Sequence, residues 1–344
     1  MYGPFSPLQA ILETATAAEE HGFDSYWLGD RVTGFPQPPA VDAWSALAAL
    51  AVRTSNIRLG MSVTDPYRRP PAVLAQTVAA IDHLSGGRVI PGVGTGERVN
   101  LEPFGIRMEG GPERLEEYVT LLKRYWSGER IDFEGRFYRS AGGLVQPRPL
   151  QQPHPPLLVA GNARRTLEVV GRTADTWLCA ARSPAMLRED LGLVHAAASA
   201  AGRVPSAVEP ALFTYCVVHP DRAYSRKVAY DFGGGILLWW RGSLARLGVR
   251  AGAPDLTVST WDGSERAIQR WTSGAAEVPR QAIDELINHG TGEDLARRVD
   301  AFVEAGVVHF IFVCLDGFTD VARWKESARI ISEEVLPAFA AGST

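Results

Sequence analysis

The sequence predicts an α/β fold, a single (β/α)8 TIM barrel with insertion segments. Short apolar strand patterns alternate with amphipathic helices, no composition shift divides the chain, and 344 residues suits a barrel formed as one unit. Strand followed by helix, repeated, implies a parallel sheet, because parallel neighbours need a crossover connection.

Ser6 and Pro7 cap and open a first helix, with Leu8, Ile11, Leu12, Ala15 and Ala18 on one stripe and Gly22 as its stop. A buried-strand pattern over 23–28 ends in Asp30-Arg31. A helix over 41–52, a strand over 57–63 and a helix over 71–84 come next, the last closed by Gly86-Gly87. A strand over 88–93 runs into Gly94-Thr95-Gly96-Glu97, and 112–126 is helical. Beyond a loop-rich insertion at 128–155, strands at 157–160, 174–180 and 211–218 alternate with helices at 163–171 and 184–201. A helix over 293–305, a strand over 308–315 and a last helix with Val321, Trp324, Ala328, Ile331 and Val335 on one stripe complete the pattern. Seven strands are countable; eight would close a barrel.

Residues 231–290 break the rhythm with Gly233-Gly234-Gly235, Trp239, Trp240, Trp261 and Trp271, and show no strand pattern. They read either as an active-site lid, with or without dimer contacts, or as a helical excursion packing its tryptophans on the barrel wall.

Composition excludes several classes. A net charge of −4 argues against a generally basic nucleic-acid binder. No apolar run reaches ~18 residues, and the N-terminus lacks a basic flank and apolar core, so the expectation is a cytoplasmic protein without a membrane span. With 34 glycines and 23 prolines the chain stays below the roughly 25–30% that marks low complexity. Cys179, Cys216 and Cys314 have no metal-ligand spacing and read as buried thiols. The seven histidines form no visible pair, and no Ser-His-Asp, Gly-x-Ser-x-Gly or metal cluster appears, which leaves hydrolase and metalloenzyme chemistry without support.

Barrel enzymes work at the carboxyl ends of their strands. Four polar segments fall there: Asp30-Arg31, Met61-Ser62-Val63-Thr64, Gly94-Thr95-Gly96-Glu97 with Asn100, and Gly161-Asn162-Ala163-Arg164-Arg165. The last opens a helix, so free N–H groups and two arginines make either an anion site or a solvated basic first turn. Gly94-Thr95-Gly96 lacks the third glycine of a dinucleotide fingerprint and is better suited to letting a planar ring lie on the backbone. Glu97 reads as an acid or base beside that ring, or as an ion-paired rim residue.

Together these residues resemble the luciferase-like flavin and deazaflavin oxidoreductase family. The resemblance runs over about 3–339 and is carried by Ala17-Ala18-Glu19-Glu20-His21-Gly22-Phe23, Pro71-Ala72-Val73-Leu74-Ala75-Gln76, Gly92-Val93-Gly94-Thr95-Gly96-Glu97, Pro103-Phe104-Gly105 and Val159-Ala160-Gly161-Asn162. Glu97 with Asn100 and the following Pro-Phe-Gly is similar to the branch that uses coenzyme F420, which includes methylenetetrahydromethanopterin reductase. The resemblance implies hydride transfer between the deazaflavin C5 and a carbonyl, imine, alkene or alcohol carbon of a small organic substrate, and the aromatic segment from Phe232 to Trp271 suggests that this substrate is apolar. FMN-dependent monooxygenation and a non-catalytic cofactor-binding homologue are the alternatives. It also implies that Asp30, Met61, Ser62, Thr64, Thr95, Gly96 and Asn100 line the ring and ribityl chain, with a non-proline cis peptide at Met61-Ser62. Gly161, Asn162, Arg164 and Arg165 would hold the cofactor phosphate, Glu97 would move a proton, and Arg31 would stabilise developing negative charge. Arg31 stands where the sugar-phosphate dehydrogenase of the family has histidine, so a sugar phosphate is not the expected substrate. Members begin with a strand of roughly ten residues that is absent or much shortened here. The expected partners are a small-molecule substrate and a second copy of the chain in a homodimer, with no metal, nucleic acid or membrane.

Overall fold

The computed structural model describes residues 1–3, 7–33, 40–252, 264–318 and 320–337. Ser6 and Trp261 lie outside these. The first half runs α1 (Leu8–Glu20), β1 (Ser25–Leu28), α2 (Ala43–Arg53), β2 (Arg58–Met61), α3 (Pro71–Ser85), β3 (Val89–Ile90), β4 (Gly92–Val93) and α4 (Gly111–Trp126). Then come β5 (Ile131–Glu134), β6 (Arg139–Gly143), β7 (Leu158–Ala160), α5 (Arg164–Thr173), β8 (Thr176–Ala180), α6 (Pro184–Ala200) and β9 (Glu209–Val218). The chain continues through α7 (Arg222–Trp239), α8 (Arg241–Arg246), α9 (Glu265–Ala276), α10 (Arg280–Leu286), β10 (Asn288–Gly290), α11 (Gly292–Glu304), β11 (His309–Cys314) and α12 (Val321–Ile330).

Local chemistry sets these boundaries. Asp42 caps α2 by accepting from Ser45 N at 2.8 Å, and Gly86, at φ 68°, ends α3 in the left-handed conformation that glycine adopts without penalty. Pro91 splits one stave into β3 and β4, because it has no N–H to give the ladder; its carbonyl still accepts from Leu158 N.

The strands form a parallel barrel. β1 pairs with β2 and β2 with β3, β4 pairs with β7, β7 with β8, β8 with β9, and β9 with β11. Thr64 bridges to Val93 and ties the two sheets together. All seven strands expected from the pattern are present, and the eighth stave is Met1–Gly3. Tyr2 N donates to Phe312 O at 2.9 Å, Trp27 N donates to Met1 O at 2.9 Å, and Gly3 N donates to Trp27 O at 2.9 Å. The first strand is therefore shortened to a single bridge rather than missing.

Period-two alternation divides the core. Tyr26, Leu28, Leu59, Met61, Val159, Cys179 and Phe312 face outward into the shell under the helices. Trp27, Leu158, Leu178, Ala211, Ile311 and Val313 face inward. The barrel interior holds the Trp27 indole directly over Gly60, where an added Cβ would come 2.1 Å from the ring.

Two expectations need correction. The insertion at 128–155 is not only loop: β5 and β6 form an antiparallel hairpin. Residues 231–290 are helical over most of their described length but do contain a strand, β10, parallel to the end of β9. Its residues, Asn288, His289 and Gly290, are too few and too polar to show a strand pattern. The three glycines of α7 allow close helix packing, since Cβ atoms on Gly234 and Gly235 would each meet α9 atoms (Ala275 O, Trp271 Cζ2) at 2.3 Å. Cys179, Cys216 and Cys314 are free thiols, all buried. No helix among the described residues is long and apolar enough to cross a membrane.

Candidate active site

A cavity of about 350 Å³ opens at the carboxyl ends of the strands. Its lining comes from the segments that follow β1, β2, β4 and β7, from the end of β8 and from inward residues of β9. The apolar wall is completed by Ile236, Trp239 and Trp240 of the 231–290 segment and by Phe318 after β11. Two of that segment's tryptophans thus face the cavity, while Trp271 packs on α7.

The floor is a buried ionic network. Thr64 Oγ1 donates to Asp30 Oδ2 at 2.5 Å, and Arg68 gives Nη1 to Asp30 Oδ1 at 3.1 Å and Nη2 to Asp30 O at 2.8 Å. Arg68 Nε also donates to Asp65 Oδ2 at 2.5 Å. Burial works against the Arg68 charge, but the carboxylates of Asp30 and Asp65 outweigh it and hold the guanidinium above its ordinary value. One arginine so bridges two carboxylates that would otherwise repel each other.

At the mouth, Arg31 Nη2 donates to Glu97 Oε1 at 3.3 Å and Asn100 Nδ2 donates to Glu97 Oε2 at 2.8 Å. The Asn100 carbonyl accepts from Val32 N at 2.9 Å and Thr33 N at 3.2 Å, which fixes the chain after Arg31. Burial disfavours the Arg31 charge; Glu97, with Tyr2 and Tyr215, more than offsets it. Arg31 is a permanent cation in a chamber that also holds aromatic rings. Burial likewise pushes the Tyr2 and Tyr215 phenols up, so both keep their protons.

The fourth segment turns from β7 into α5. Trp177 Nε1 donates to Gly161 O at 2.8 Å, and the Asn162 side chain spans to Ala180, giving Nδ2 to its carbonyl at 3.0 Å. Buried Arg182 stabilises this loop from beneath: Nη2 donates to Asn162 O at 2.9 Å, Nε to Asp190 Oδ2 at 2.6 Å and Nη1 to Ser243 Oγ at 2.5 Å. Ala181, the residue before it, has φ 48°, a left-handed conformation unusual for a side chain with Cβ.

Of the residues singled out in the sequence, Asp30, Arg31, Ser62, Thr64, Thr95 and Gly96 line the cavity, as do Glu97, Asn100, Gly161 and Asn162. Three do not. Met61 is the last residue of β2 and alternation turns its side chain into the outer shell. The cis peptide is Ser62–Val63, one residue further on than expected; Ser62 N still continues the ladder by donating to Leu28 O at 2.7 Å. Arg164 and Arg165 point to solvent, with side chains 76% and 73% exposed and paired to Glu168 and Glu113. The reason is helical: Thr166, Leu167, Val169 and Val170 bury one face of α5 and leave the arginines on the other. What the cavity meets at that corner is Gly161, Asn162, Ala163 and Thr166.

Sequence reasoning missed Asp65 and Arg68, although they follow β2 as Ser62 and Thr64 do and the strand-end rule covers them. It also missed Tyr2 and Tyr215, which lie inside staves, where only alternation could have marked them as inward.

The family model described as luciferase-like monooxygenase matches residues 1–309. The chain is 30% identical to the phthiodiolone/phenolphthiodiolone dimycocerosates ketoreductase of Mycobacterium kansasii, over 90% of this chain and 92% of that one. It is 25% identical to the 5,10-methylenetetrahydromethanopterin reductase of Methanolobus tindarius, over 97% of both. Among solved structures, an F420-dependent secondary alcohol dehydrogenase in complex with an F420-acetone adduct superposes with a TM-score of 0.81 at 24% identity, covering 98% of this chain and 97% of the other. The relatives are oxidoreductases, which supports an enzyme of that class, and the luciferase-like barrel is the shared fold. The chain belongs to the luciferase-like monooxygenase family.

Proposed function

We propose that the protein is an oxidoreductase of the deazaflavin type, using coenzyme F420 and a small, predominantly apolar organic substrate. The observation that carries this reading is the Arg31–Glu97–Asn100 constellation beside a cavity of about 350 Å³, a volume within the range of cofactor pockets. The F420 of the superposed alcohol dehydrogenase complex and the reductase and ketoreductase relatives favour the same reading.

The residues present suit a planar, anionic group. Ser62 Oγ is buried at the cavity wall and has no hydrogen-bond partner among the described residues. At the far corner, α5 directs its N-terminus at the cavity through Ala163, which offers backbone donors to an anion without an arginine side chain. Asp30, Ser62, Thr64, Thr95, Gly96 and Asn100 would hold the ring and polyol, and Gly161 and Asn162 the phosphate. The coenzyme supplies hydride chemistry at its C5 when bound. Glu97 holds or takes up the substrate proton through Oε1 or Oε2, Arg31 stabilises negative charge on the substrate, and the tryptophans exclude water.

Separate fluorescence titrations with F420 and with FMN test the reading. Tight F420 binding with weak FMN binding is expected; tight FMN binding with none for F420 overturns it in favour of a flavin monooxygenase. With a turned-over substrate in hand, Glu97→Gln and Arg31→Ala should each lower kcat by about 100-fold. Unchanged turnover in both would remove the assigned roles.

A further inference from the structure

We propose that the Tyr215 hydroxyl donates a hydrogen bond to an oxygen atom of the substrate, which makes Tyr215 a third catalytic residue beside Arg31 and Glu97. This rests on the cavity being the substrate chamber, as argued above.

Tyr215 lies on β9 two residues after Phe213, so both rings project inward from one face and both line the cavity. Trp240 Nε1 donates to the Tyr215 oxygen at 3.0 Å. An indole N–H can only donate, so the phenol oxygen is the acceptor there and its own hydrogen must go elsewhere. No acceptor among the described residues takes it, yet the residue is only 9% exposed. A buried hydroxyl hydrogen left unused is unfavourable, and the chamber is the place where it can be satisfied.

The ring is held firmly for this task. Phe213 meets Tyr215 edge-on with centroids 5.3 Å apart, and Tyr2 meets Phe213 in the same way at 5.0 Å. Burial keeps the phenol protonated through the ordinary pH range, and the charges of Arg31 and Glu97 both reach it. Two donors, the Arg31 guanidinium and the Tyr215 hydroxyl, therefore share a chamber whose apolar wall is Ile236, Trp239, Trp240 and Phe318. A substrate atom seated between them has to accept. A carbonyl or alcohol oxygen does so; an isolated alkene would leave a buried donor unpaired and is discriminated against. The assignment narrows the substrate to one that carries oxygen at the reacting carbon.

Equilibrium dialysis of the protein without coenzyme tests this with two probes of the same shape. Acetophenone offers a carbonyl oxygen where α-methylstyrene has a methylene. The wild type should bind acetophenone about tenfold more tightly than α-methylstyrene, and Tyr215→Phe should reduce the ratio to about twofold or less. Trp240→Phe keeps the hydroxyl and should keep most of the preference, which separates loss of the donor from general damage to the wall. A wild type without preference, or a Tyr215→Phe variant that retains it in full, overturns the proposal. F420 affinity is measured in parallel and should be unchanged in Tyr215→Phe. Absence of F420 binding in every form would count against the coenzyme reading while leaving the probe result to decide on Tyr215.

Discussion

Asn100 orients Glu97: its Nδ2 donates to Glu97 Oε2 at 2.8 Å and leaves Oε1 to face Arg31. Through its carbonyl the same side chain holds Val32 N and Thr33 N, so one amide sets the position of both charged groups at the mouth. Asn100→Ala should lower kcat about tenfold or more, with a smaller change in KM, because the carboxylate loses its direction rather than its charge. Asn100→Asp should be worse, since it sets a second carboxylate against Glu97 and can no longer donate to it. Steady-state kinetics on both variants check the order.

Arg68 is the hinge of charge balance under the cavity. Its side chain is 13% exposed, and the Asp30 and Asp65 side chains it bridges are 3% and 4% exposed. Removing one partner of a buried ion pair leaves uncompensated charge and costs about 3–5 kcal/mol, far more than an exposed pair is worth. Arg68→Met should therefore lower the thermal midpoint by several degrees and weaken coenzyme binding together, as Asp30 loses its fixed orientation. Arg68→Lys retains charge but not the fork that reaches Asp30 and Asp65 at once, and should fall between. Exposed Arg165→Met, with its partner Glu113 at the surface, is the control and should leave both measurements near wild type.

Much of the fold is legible because its determinants are local and periodic. The staves around Trp27, Leu59, Val159 and Cys179 carry apolar runs, and Gly86 marks a helix end by chemistry confined to one turn. Met1–Gly3 escaped because three residues have no period, and their strand character comes only from Phe312 and Trp27 on either side. The site followed the same division. Polar residues after strands marked Asp30, Ser62, Thr64 and Glu97, since the barrel exposes that rim wherever the strands end. Arg164 and Arg165 lie off the cavity because side-chain direction, not charge type, decides what the start of α5 presents to it. Leu167 and Val170, which decide which way α5 turns, were visible in the sequence as its apolar stripe.

Gly60 tests the interior packing. A Cβ there would lie 2.1 Å from Trp27 Cε3 and 2.3 Å from Cδ2, inside any possible contact. The indole cannot rotate away cheaply, because its Nε1 donates to Ser25 Oγ at 2.8 Å and the residue is 1% exposed. Gly60→Ala should then cost about 1–3 kcal/mol or more, as overpacking of a rigid core does. Paired with Trp27→Leu, which empties the space, Gly60→Ala should be far less damaging than alone. Additive losses in urea unfolding of the double variant would show that the clash is not the cause.

His309 gives the stability a pH dependence of known sign. It opens β11 with its ring against Trp27, centroids 5.6 Å apart, and Nε2 lies 3.2 Å from Ser25 Oγ. Ser25 already accepts from Trp27, so its hydroxyl hydrogen is available to a neutral Nε2. Burial, with the positive charge of Arg58, lowers the imidazole from 6.5 to about 4. Between those values the unfolded chain binds the proton and the folded one does not, so stability rises with pH across that window. The contribution is complete above pH 6.5 and is lost as pH falls toward 4. His309→Gln keeps a hydrogen-bonding group next to Ser25 but does not titrate. Its thermal midpoint should therefore decline less than that of the wild type between pH 6.5 and 4, and parallel declines would show that His309 takes up its proton equally in both states.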